Sequence, residues 1–393
     1  MAQPGGGLGD REWVSNTGYP LTQALPMQFH NIYLIYSCQV ENIWKSKKRF
    51  LSVLAPMAGY TDSAFRLMCK KFGADIVMTE MVSADAIAHG KFKVTHMRHP
   101  RAVPAGRQEG GDPLLVDSHF HGNDIKVEGK NKNTADLLSF NEKERPIVIQ
   151  LFGKNPENFQ KAAEWISDNL KPDGIDINMG CPAKKVVGSD HGSALLKNPK
   201  LAVEIVRAVK SVISCPLSVK TRLGWQNDDE ILDFGPKLIQ AGVDALIIHG
   251  RTYKDGFRNK ARWENIYNLK LQTSNFKNKE VSIIGNGDIK SYDDIIQKVN
   301  NLDGVAIGRA AVGKPMIFLN NESRIKNNGL KGIILKHSKM AYDTKGEHGI
   351  IEFRKHLLAY LRGFSNAKEL RVKAVKIETV EDVRKIANQI ISN

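Results

Sequence analysis

Short apolar runs rich in β-branched residues recur through residues 52–310, and each run ends in glycine or polar residues before a helix-like segment. Such continuous runs are typical of strands that are buried on both faces of a parallel sheet. Eight of them alternating with helices predict a TIM barrel, an α/β fold, with a doubly wound open sheet as the alternative. The predicted strands are "SVLAPMAG" (52–59), "DIVMTEMVS" (75–83), "PIVIQLFG" (146–153), "GIDINMGCP" (174–182), "PLSVKTRLG" (216–224), "ALIIHGRT" (245–252), "VSIIGNGD" (281–288) and "GVAIGRA" (304–310).

The unusual residues of this pattern stand at the carboxyl ends of the predicted strands. In a barrel these ends all meet at one mouth, where active sites are built. Side chains from separate strands are therefore expected to converge there. They are Met57, Glu80, Gln150, Asn178, Lys220, His249, Asn286 and Arg309.

Beyond Arg309 the pattern changes to helical periodicity. In "GIIEFRKHLLAYLRGF" (349–364), Ile351, Leu358 and Leu361 are predicted to share an apolar face. We divide the chain into a flexible N-terminal extension (1–42), a barrel (43–315) and a smaller C-terminal helical domain (316–393). A turn-rich stretch at about 98–129 follows the second strand and is predicted to be a long insertion.

The charge of the chain points to a polyanionic partner. The formal net charge is +15, and residues 314–393 hold 16 Lys and Arg against 8 Asp and Glu. Clustered cations gain affinity for phosphates because they release condensed counterions. A basic module is therefore predicted at the C-terminus, although a solvated helical face would look similar.

Several classes of protein are disfavoured by the composition. The sequence contains no run of about 18 apolar residues, so no membrane span is predicted. No secretory signal is recognisable either, and a cytoplasmic protein is therefore expected. The four cysteines are widely separated, which argues against a disulfide framework or a cysteine-bound metal. His119 and His121 lie in the predicted insertion, and we expect no metal there.

Two predicted strand ends suit a phosphate group. "IIGNGD" and "AIGRA" belong to the seventh and eighth strands, and barrels commonly bind phosphate in the loops after these strands. Gly285, Gly287 and Gly308 would let backbone N–H groups approach an anion, and Arg309 would add positive charge. The alternative is that these glycines only form tight turns.

Eight motifs in order carry a resemblance to a known family. The chain from about 43 to 375 resembles the dihydrouridine synthases, flavin enzymes that reduce uridines in tRNA, and most resembles their B-type bacterial branch. The motifs are "LAPMAGYTD" (54–62), "QLFG" (150–153), "NMGCPAKKV" (178–186), "SVKTRLG" (218–224), "IHGRT" (248–252), "GNGDI" (285–289), "IGRA" (307–310) and "FRKHLLAYLRG" (353–363).

The resemblance implies a cofactor, a reductant and a set of site residues. It implies that Cys181 is the catalytic acid, that His249 lies near the flavin and the base, and that NADPH or NADH re-reduces the flavin. The expected partner is tRNA, and the protein is expected to act as a monomer without a metal. The implied FMN contacts are Pro56, Met57, Ala58, Gln150, Lys220, His249, Asn286, Gly287, Asp288, Gly308 and Arg309.

The chemistry of this reaction explains why a thiol would stand after the fourth strand. Reducing the C5–C6 bond of uracil takes a hydride at one carbon and a proton at the other, so a positioned acid is needed. A free thiol has a pKa of about 8.5 and is mostly protonated at neutral pH. Pro182 restricts Cys181 towards extended geometry, which helps to aim the side chain.

Further residues are predicted to contact the nucleic acid. Asn178 can pair with a base edge, and Arg222 either meets the nucleotide or satisfies backbone groups nearby. The base must be extruded from folded tRNA to reach the barrel mouth. The helical domain would then hold the RNA backbone through Arg354, Lys355, His356, Arg362 and Arg371.

Two other functions remain open at this level. One is a flavin barrel oxidoreductase acting on a free pyrimidine, although such a substrate needs no basic domain. The other is a non-catalytic RNA-binding protein on a retained barrel. Residues 1–40, the insertion and His191, which follows Cys181 where the family usually has a small residue, depart from the family pattern.

Overall fold

The computed structural model describes residues 42–45, 48–98, 123–274, 280–320 and 327–390. Its strands are β1 (Leu51–Leu54), β2 (Ile76–Ser83), β3 (Phe92–Arg98), β4 (Asn123–Gly129), β5 (Phe140–Asn141), β6 (Ile147–Phe152), β7 (Gly174–Asn178), β8 (Leu217–Arg222), β9 (Ala245–His249), β10 (Ser282–Asn286) and β11 (Gly304–Ile307).

The described helices surround these strands or follow them. They are α1 (Ser63–Lys71), α2 (Ala84–Ala88), α3 (Lys132–Leu138), α4 (Pro156–Asn169), α5 (Lys184–Val187), α6 (Pro199–Lys210), α7 (Ile231–Ala241), α8 (Glu264–Ser274), α9 (Tyr292–Val299), α10 (Asn327–Lys345), α11 (Glu347–Tyr360), α12 (Ala367–Ala374) and α13 (Val380–Asn388). Among the described helices, none is both long enough and apolar enough to cross a membrane.

Eight strands form a closed parallel barrel, in the order β1, β11, β10, β9, β8, β7, β6 and β2. The register pairs β1 with both β2 and β11, which closes the sheet and excludes the open-sheet alternative. The predicted TIM barrel is therefore confirmed, and C-terminal helices follow it as expected.

The two faces of each barrel strand have different surroundings. Val148 belongs to an apolar cluster inside the barrel, whereas Ile147 and Ile149 belong to the cluster that includes the outer helices. Both environments are apolar, and this is why the strands read as continuous hydrophobic runs. Towards the mouth the inward positions become polar, as in Asp176 and Asn178 on β7.

The outer helices begin and pack as their sequences predict. The side chain of Asn155 caps α4, and Pro156 occupies its first turn. Phe159, Ala162 and Ile166 are buried along one face of this helix at helical spacing. Capping and an apolar stripe together hold α4 against the barrel.

The predicted insertion contains regular structure that the sequence analysis did not identify. Residues 123–129 form β4, which pairs antiparallel with β3 from Phe92 opposite Gly129 to Arg98 opposite Asn123. Ile125 and Val127 are buried and alternate with polar residues, so a period-two signal was present. His119 and His121 lie outside the described residues.

The C-terminal helices share an apolar core with the barrel helix α1. Leu67 of α1 and Phe72, which follows that helix, pack in the same cluster as Phe353 and Leu357 of α11. The predicted apolar face of α11 was partly wrong, because Ile351 is 43% exposed while Ile350 is buried. Removing the C-terminal helices would therefore expose part of the barrel's own packing.

Candidate active site

A cavity of about 800 Å³ opens at the carboxyl ends of the barrel strands. Cys181, Asn178, Arg222 and every residue predicted to contact the cofactor line it. Arg362 of the helical segment also lines it, so the C-terminal helices reach the rim. The cavity therefore joins residues that are far apart in the chain, which is what the strand-end pattern predicted.

The turn after β7 carries the thiol and is held from two sides. The Asn178 Oδ1 atom accepts hydrogen bonds from the backbone N–H groups of Gly180 (3.1 Å) and Cys181 (2.9 Å). Arg222 Nε donates to the carbonyl of Gly180 at 2.8 Å. The N–H of Ser193 donates to the carbonyl of Cys181 at 3.1 Å. The thiol thus extends from a restrained turn into the cavity.

The side chains of Asn178 and Arg222 form hydrogen bonds with the turn and with other protein groups. The Nδ2 group of Asn178 donates to Gln150 Oε1 at 2.9 Å, so both ends of its amide have protein partners. Arg222 is 2% exposed, and its Nη1 donates to the carbonyls of Thr252 and Gly256. Both residues line the cavity, but the hydrogen bonds that they form here are with protein groups, so their contact with a nucleotide stays a prediction.

The cavity is strongly cationic. Among its described lining residues, Asp288 is the sole carboxylate, and the cations are Lys220, Arg222, Arg251, Lys290, Arg309 and Arg362. Burial, with help from the neighbouring Arg222, lowers the pKa of Lys220 to about 8, so this amine remains mostly charged at neutral pH. Such a field favours an anionic ligand.

His249 is a neutral member of the site. Burial, followed by the charges of Lys220, Arg222, Arg251 and Arg309, lowers the pKa of His249 well below its usual value. Arg251 Nη1 lies 3.3 Å from His249 Nε2, and because a guanidinium can only donate, Nε2 must be the acceptor. The proton of the ring therefore sits on Nδ1. His249 acts as a hydrogen-bond donor and not as a cation.

The residues present fit a flavin mononucleotide. Part of the cavity wall is apolar and consists of Ala55, Met57, Ala306 and Ile307. Lys220 Nζ is held at the mouth by a 3.1 Å hydrogen bond to Asn286 Oδ1. An apolar wall with a few fixed donors suits a flat aromatic ring with one polar edge.

Residues at the ends of the seventh and eighth predicted strands line this cavity, and the sequence analysis predicted a phosphate site there. Gly287 has φ +129°, and Gly308 is followed at once by Arg309, whose side chain is 63% exposed. Arg309 Nη2 lies 3.9 Å from Asp288 Oδ1, and Asp288 in turn receives a bidentate pair of 2.8 Å hydrogen bonds from Arg251 Nη2. Asp288 therefore fixes neighbouring cations.

Other predicted residues lie elsewhere. Glu80 does not line the cavity, and its carboxylate accepts the N–H of Gly59. His356 is 1% exposed, so the prediction that it contacts RNA is wrong; its ring packs 4.7 Å from that of Phe65. Arg354 is half-buried and donates twice to the carbonyl of Ile377. Arg371 is exposed.

Buried polar residues join α1 to the C-terminal helices. His356 Nε2 and Lys355 Nζ lie 3.7 and 3.6 Å from Asp62 Oδ2, and His337 is close enough that the three acid and imidazole groups lie within 4.8 Å. Burial alone would raise the pKa of Asp62, but His356 and Lys355 hold it well below its usual range. The Lys355 ammonium supplies the countercharge, so we interpret this group as a junction between α1 and α11.

Phe257 is a site residue that the sequence analysis missed. It lines the cavity, is 56% exposed, and lies under the guanidinium groups of Arg309 (4.8 Å) and Arg222 (5.6 Å). An exposed aromatic ring between cations can stack on a base. Its loop has no periodic pattern, so no sequence signal separated it from other loop residues.

Fold and site together define a TIM-barrel protein with a cationic, partly apolar pocket at the carboxyl ends of its strands. The family model described as "Dihydrouridine synthase (Dus)" matches residues 53–106 and 107–393. The chain is 34% identical over 343 residues to a probable tRNA-dihydrouridine synthase of Aquifex aeolicus, covering 85% of this chain and 93% of that protein. It is 30% identical to tRNA-dihydrouridine synthase B of Pseudomonas aeruginosa, covering 84% and 89%. The chain belongs to the dihydrouridine synthase family.

Proposed function

We propose that this protein reduces uridines of tRNA to 5,6-dihydrouridine, with FMN as the hydride carrier, NADPH or NADH as reductant and Cys181 as the proton donor. The observation that carries the proposal is the single mouth cavity that joins Cys181 to all the residues expected to contact FMN. Membership of the family supports the reaction type. Neither a free pyrimidine nor simple RNA binding accounts as well for this combination.

The residues of the cavity divide the work. FMN, when bound and reduced by NADPH or NADH, would supply the hydride for one carbon of the uracil C5–C6 bond. Cys181 Sγ then gives its proton to the other carbon, and the thiolate left behind is close to the charges of Lys220 and Arg222. His249 can donate from Nδ1 to a carbonyl oxygen on which negative charge grows.

The C-terminal helices are proposed to hold the tRNA near the mouth. Arg362 lines the rim, Arg371 is exposed, and Lys355 Nζ lies 5.9 Å above the ring of Tyr60, another cavity residue. These cations can contact phosphates while an extruded uridine enters the cavity. Phe257 offers a face on which that base can stack.

The decisive experiment separates the two halves of the reaction. Cys181→Ala should bind FMN and oxidise NADPH at nearly the wild-type rate, because flavin reduction needs no proton on the pyrimidine. Single-turnover oxidation of the pre-reduced enzyme by tRNA should slow by about 10²-fold or more, the scale of losing a general acid. Cys181→Ser should be nearly as slow, since a hydroxyl is a much weaker acid than a thiol.

Cys215→Ala is the matched control, because Cys215 is buried in the outer core just before the amino end of β8, whereas the mouth residues lie at the carboxyl ends of the strands. It should retain the wild-type rate of tRNA-dependent flavin oxidation. Mass spectrometry of the tRNA should find uridines heavier by two hydrogens. Wild-type oxidation rates in both Cys181 variants would mean that the thiol is not the acid. An unchanged mass of the tRNA would contradict the proposed reaction itself.

A further inference from the structure

A chain of buried hydrogen bonds leads from the interior of the barrel to the turn that carries the thiol. Ser218 Oγ donates to Asp176 Oδ1 at 2.6 Å, and Gln150 Nε2 donates to Asp176 Oδ2 at 2.8 Å. Asn178 Nδ2 donates to Gln150 Oε1 at 2.9 Å, and Asn178 Oδ1 accepts the N–H of Cys181 at 2.9 Å. Asp176 is fully buried, so water cannot replace these partners.

The polarity of this chain is set at both ends, because the backbone N–H groups of Gly180 and Cys181 can only donate and the carboxylate of Asp176 can only accept. An amide side chain can present either its oxygen or its NH₂ group, and rotation by 180° exchanges them. An ionised carboxylate can only accept, so Gln150 must turn its NH₂ group towards Asp176. Gln150 then offers Oε1 to Asn178, whose NH₂ group must face it. Asn178 is left with its oxygen towards the N–H of Cys181, which is the orientation that binds the turn.

We infer that Asp176 is a positioning residue for the thiol, whose carboxylate sets the orientation of the Gln150 and Asn178 amides and thereby the position of Cys181. The inference rests on the proposed role of Cys181 as the acid. Burial raises the pKa of Asp176 to about 6, with Ser218 and Gln150 opposing the rise, so the carboxylate is mostly ionised at neutral pH. Asp176 does not line the cavity and acts only through its neighbours.

Asp176→Asn tests the polarity without changing the size of the side chain. An amide at this position can accept from Gln150 only while its own NH₂ group donates to Ser218. Asp176→Asn combined with Ser218→Ala removes that remaining preference, so position 176 no longer constrains the two amides and only the N–H groups of the turn do. Ser218→Ala alone removes a hydrogen bond that lowers the pKa of Asp176, so it keeps the acceptor-only carboxylate, and with it the polarity, only above the raised pKa.

The readout is tRNA-dependent oxidation of the pre-reduced enzyme. We expect a loss of several-fold in Asp176→Asn and about 10- to 100-fold in the double variant, because a misplacement of about 1 Å costs roughly 10²-fold. At a pH above that raised pKa, Ser218→Ala should stay within about twofold of wild type, since every amide orientation is retained. Because Gln150 is itself an expected FMN contact, both half-reactions are measured per bound FMN; NADPH oxidation per flavin should then stay close to the wild-type rate, whereas a merely structural defect would lower both half-reactions together.

A second readout does not depend on turnover. The rate at which iodoacetamide alkylates Cys181 in the purified protein, followed by mass spectrometry, should rise in the Asp176 variants because the turn is less restrained. Asp244→Asn is the matched control: its carboxylate accepts the N–H of Leu217 at 2.8 Å at the amino end of β8, far from the thiol. Its alkylation rate should equal that of wild type.

The outcomes separate this inference from the proposed function. If Cys181→Ala is slow but both Asp176 variants oxidise and alkylate at wild-type rates, Asp176 does not position the thiol. If Cys181→Ala is itself as fast as wild type, the proposed mechanism fails first. Where the double variant does not fold, the two rates of Asp176→Asn decide the question.

Discussion

Gly192 offers a steric test of how the thiol is placed. It has φ +60°, and a Cβ atom added there would lie 2.9 Å from the carbonyl oxygen of Cys181 and 3.1 Å from its Cβ. A third contact, with Val186 Cγ1, would also be 3.1 Å. The neighbouring N–H of Ser193 holds the same carbonyl. Gly192→Ala must therefore displace the turn that carries the thiol.

The size of the effect follows from these distances. Positive φ costs an alanine about 1–2 kcal/mol relative to glycine. Relieving the contact with a backbone oxygen moves the turn by a few tenths of an ångström or more, and overpacking of this kind adds about 1 kcal/mol. Since a 1 Å misplacement costs roughly 10²-fold, we expect tRNA-dependent flavin oxidation to slow by about 10-fold or more. FMN binding and NADPH oxidation should persist.

Gly256→Ala is the matched control. Gly256 has φ +58°, and an added Cβ atom would meet nothing within 4 Å. It carries a similar cost of positive φ in a loop of the same mouth but does not touch Cys181. Urea unfolding measures the stability of both variants, and stopped-flow absorbance of the flavin measures both half-reactions. Equal oxidation rates for the two variants would refute the idea that Gly192 shapes the turn.

Two further predictions concern charged groups. Because the pKa of Lys220 is lowered to about 8, its charge is lost as pH rises through 8, and the affinity of the flavin-free protein for FMN should fall over that range. Lys220→Met should bind FMN more weakly and without this pH step in a fluorescence titration; a wild-type affinity that is flat from pH 7 to about 9.5 would contradict the assignment. Asp62 caps α1 through a 2.9 Å hydrogen bond from the N–H of Phe65 and also faces Lys355. Asp62→Asn keeps the cap and Asp62→Ala does not, so urea unfolding should find Ala less stable than Asn by about 1 kcal/mol. Because the folded pKa of Asp62 is held below its usual range, the contribution of its charge is present above about pH 4 and is lost as pH falls below that. Equal stability of the two variants, or no loss in acid relative to Asp62→Asn, would argue against this account.

The helical domain is better studied by point variants than by truncation. Its apolar core includes Leu67 of α1 and Phe72 after it, so deleting residues 316–393 would expose barrel side chains as well as remove the proposed RNA contacts. Loss of tRNA modification in such a truncation would not distinguish the two effects. Substitutions at the exposed Arg371 leave this packing intact.

The sequence by itself determined the barrel and most of the strand-end residues that line its mouth. Each of the eight buried parallel strands appears in the sequence as a continuous hydrophobic run. The parallel topology brings the carboxyl ends of these strands to one end of the barrel. Met57, Gln150, Lys220, His249, Asn286 and Arg309 could therefore be expected in one cavity without knowledge of any contact. Seven of the eight family motifs lie at these strand ends, and the eighth begins in α11.

Only the tertiary structure decided what each polar side chain does there. Asn178 and Arg222 have the right chemistry to bind a nucleotide, but their partners are the turn around Cys181 and loops far away in sequence. His356 is polar and follows Arg354 and Lys355 in the chain, yet it is buried and packs against Phe65 of α1. Periodicity records which face of an element is buried, whereas hydrogen-bond partners depend on distances between elements that no local pattern contains.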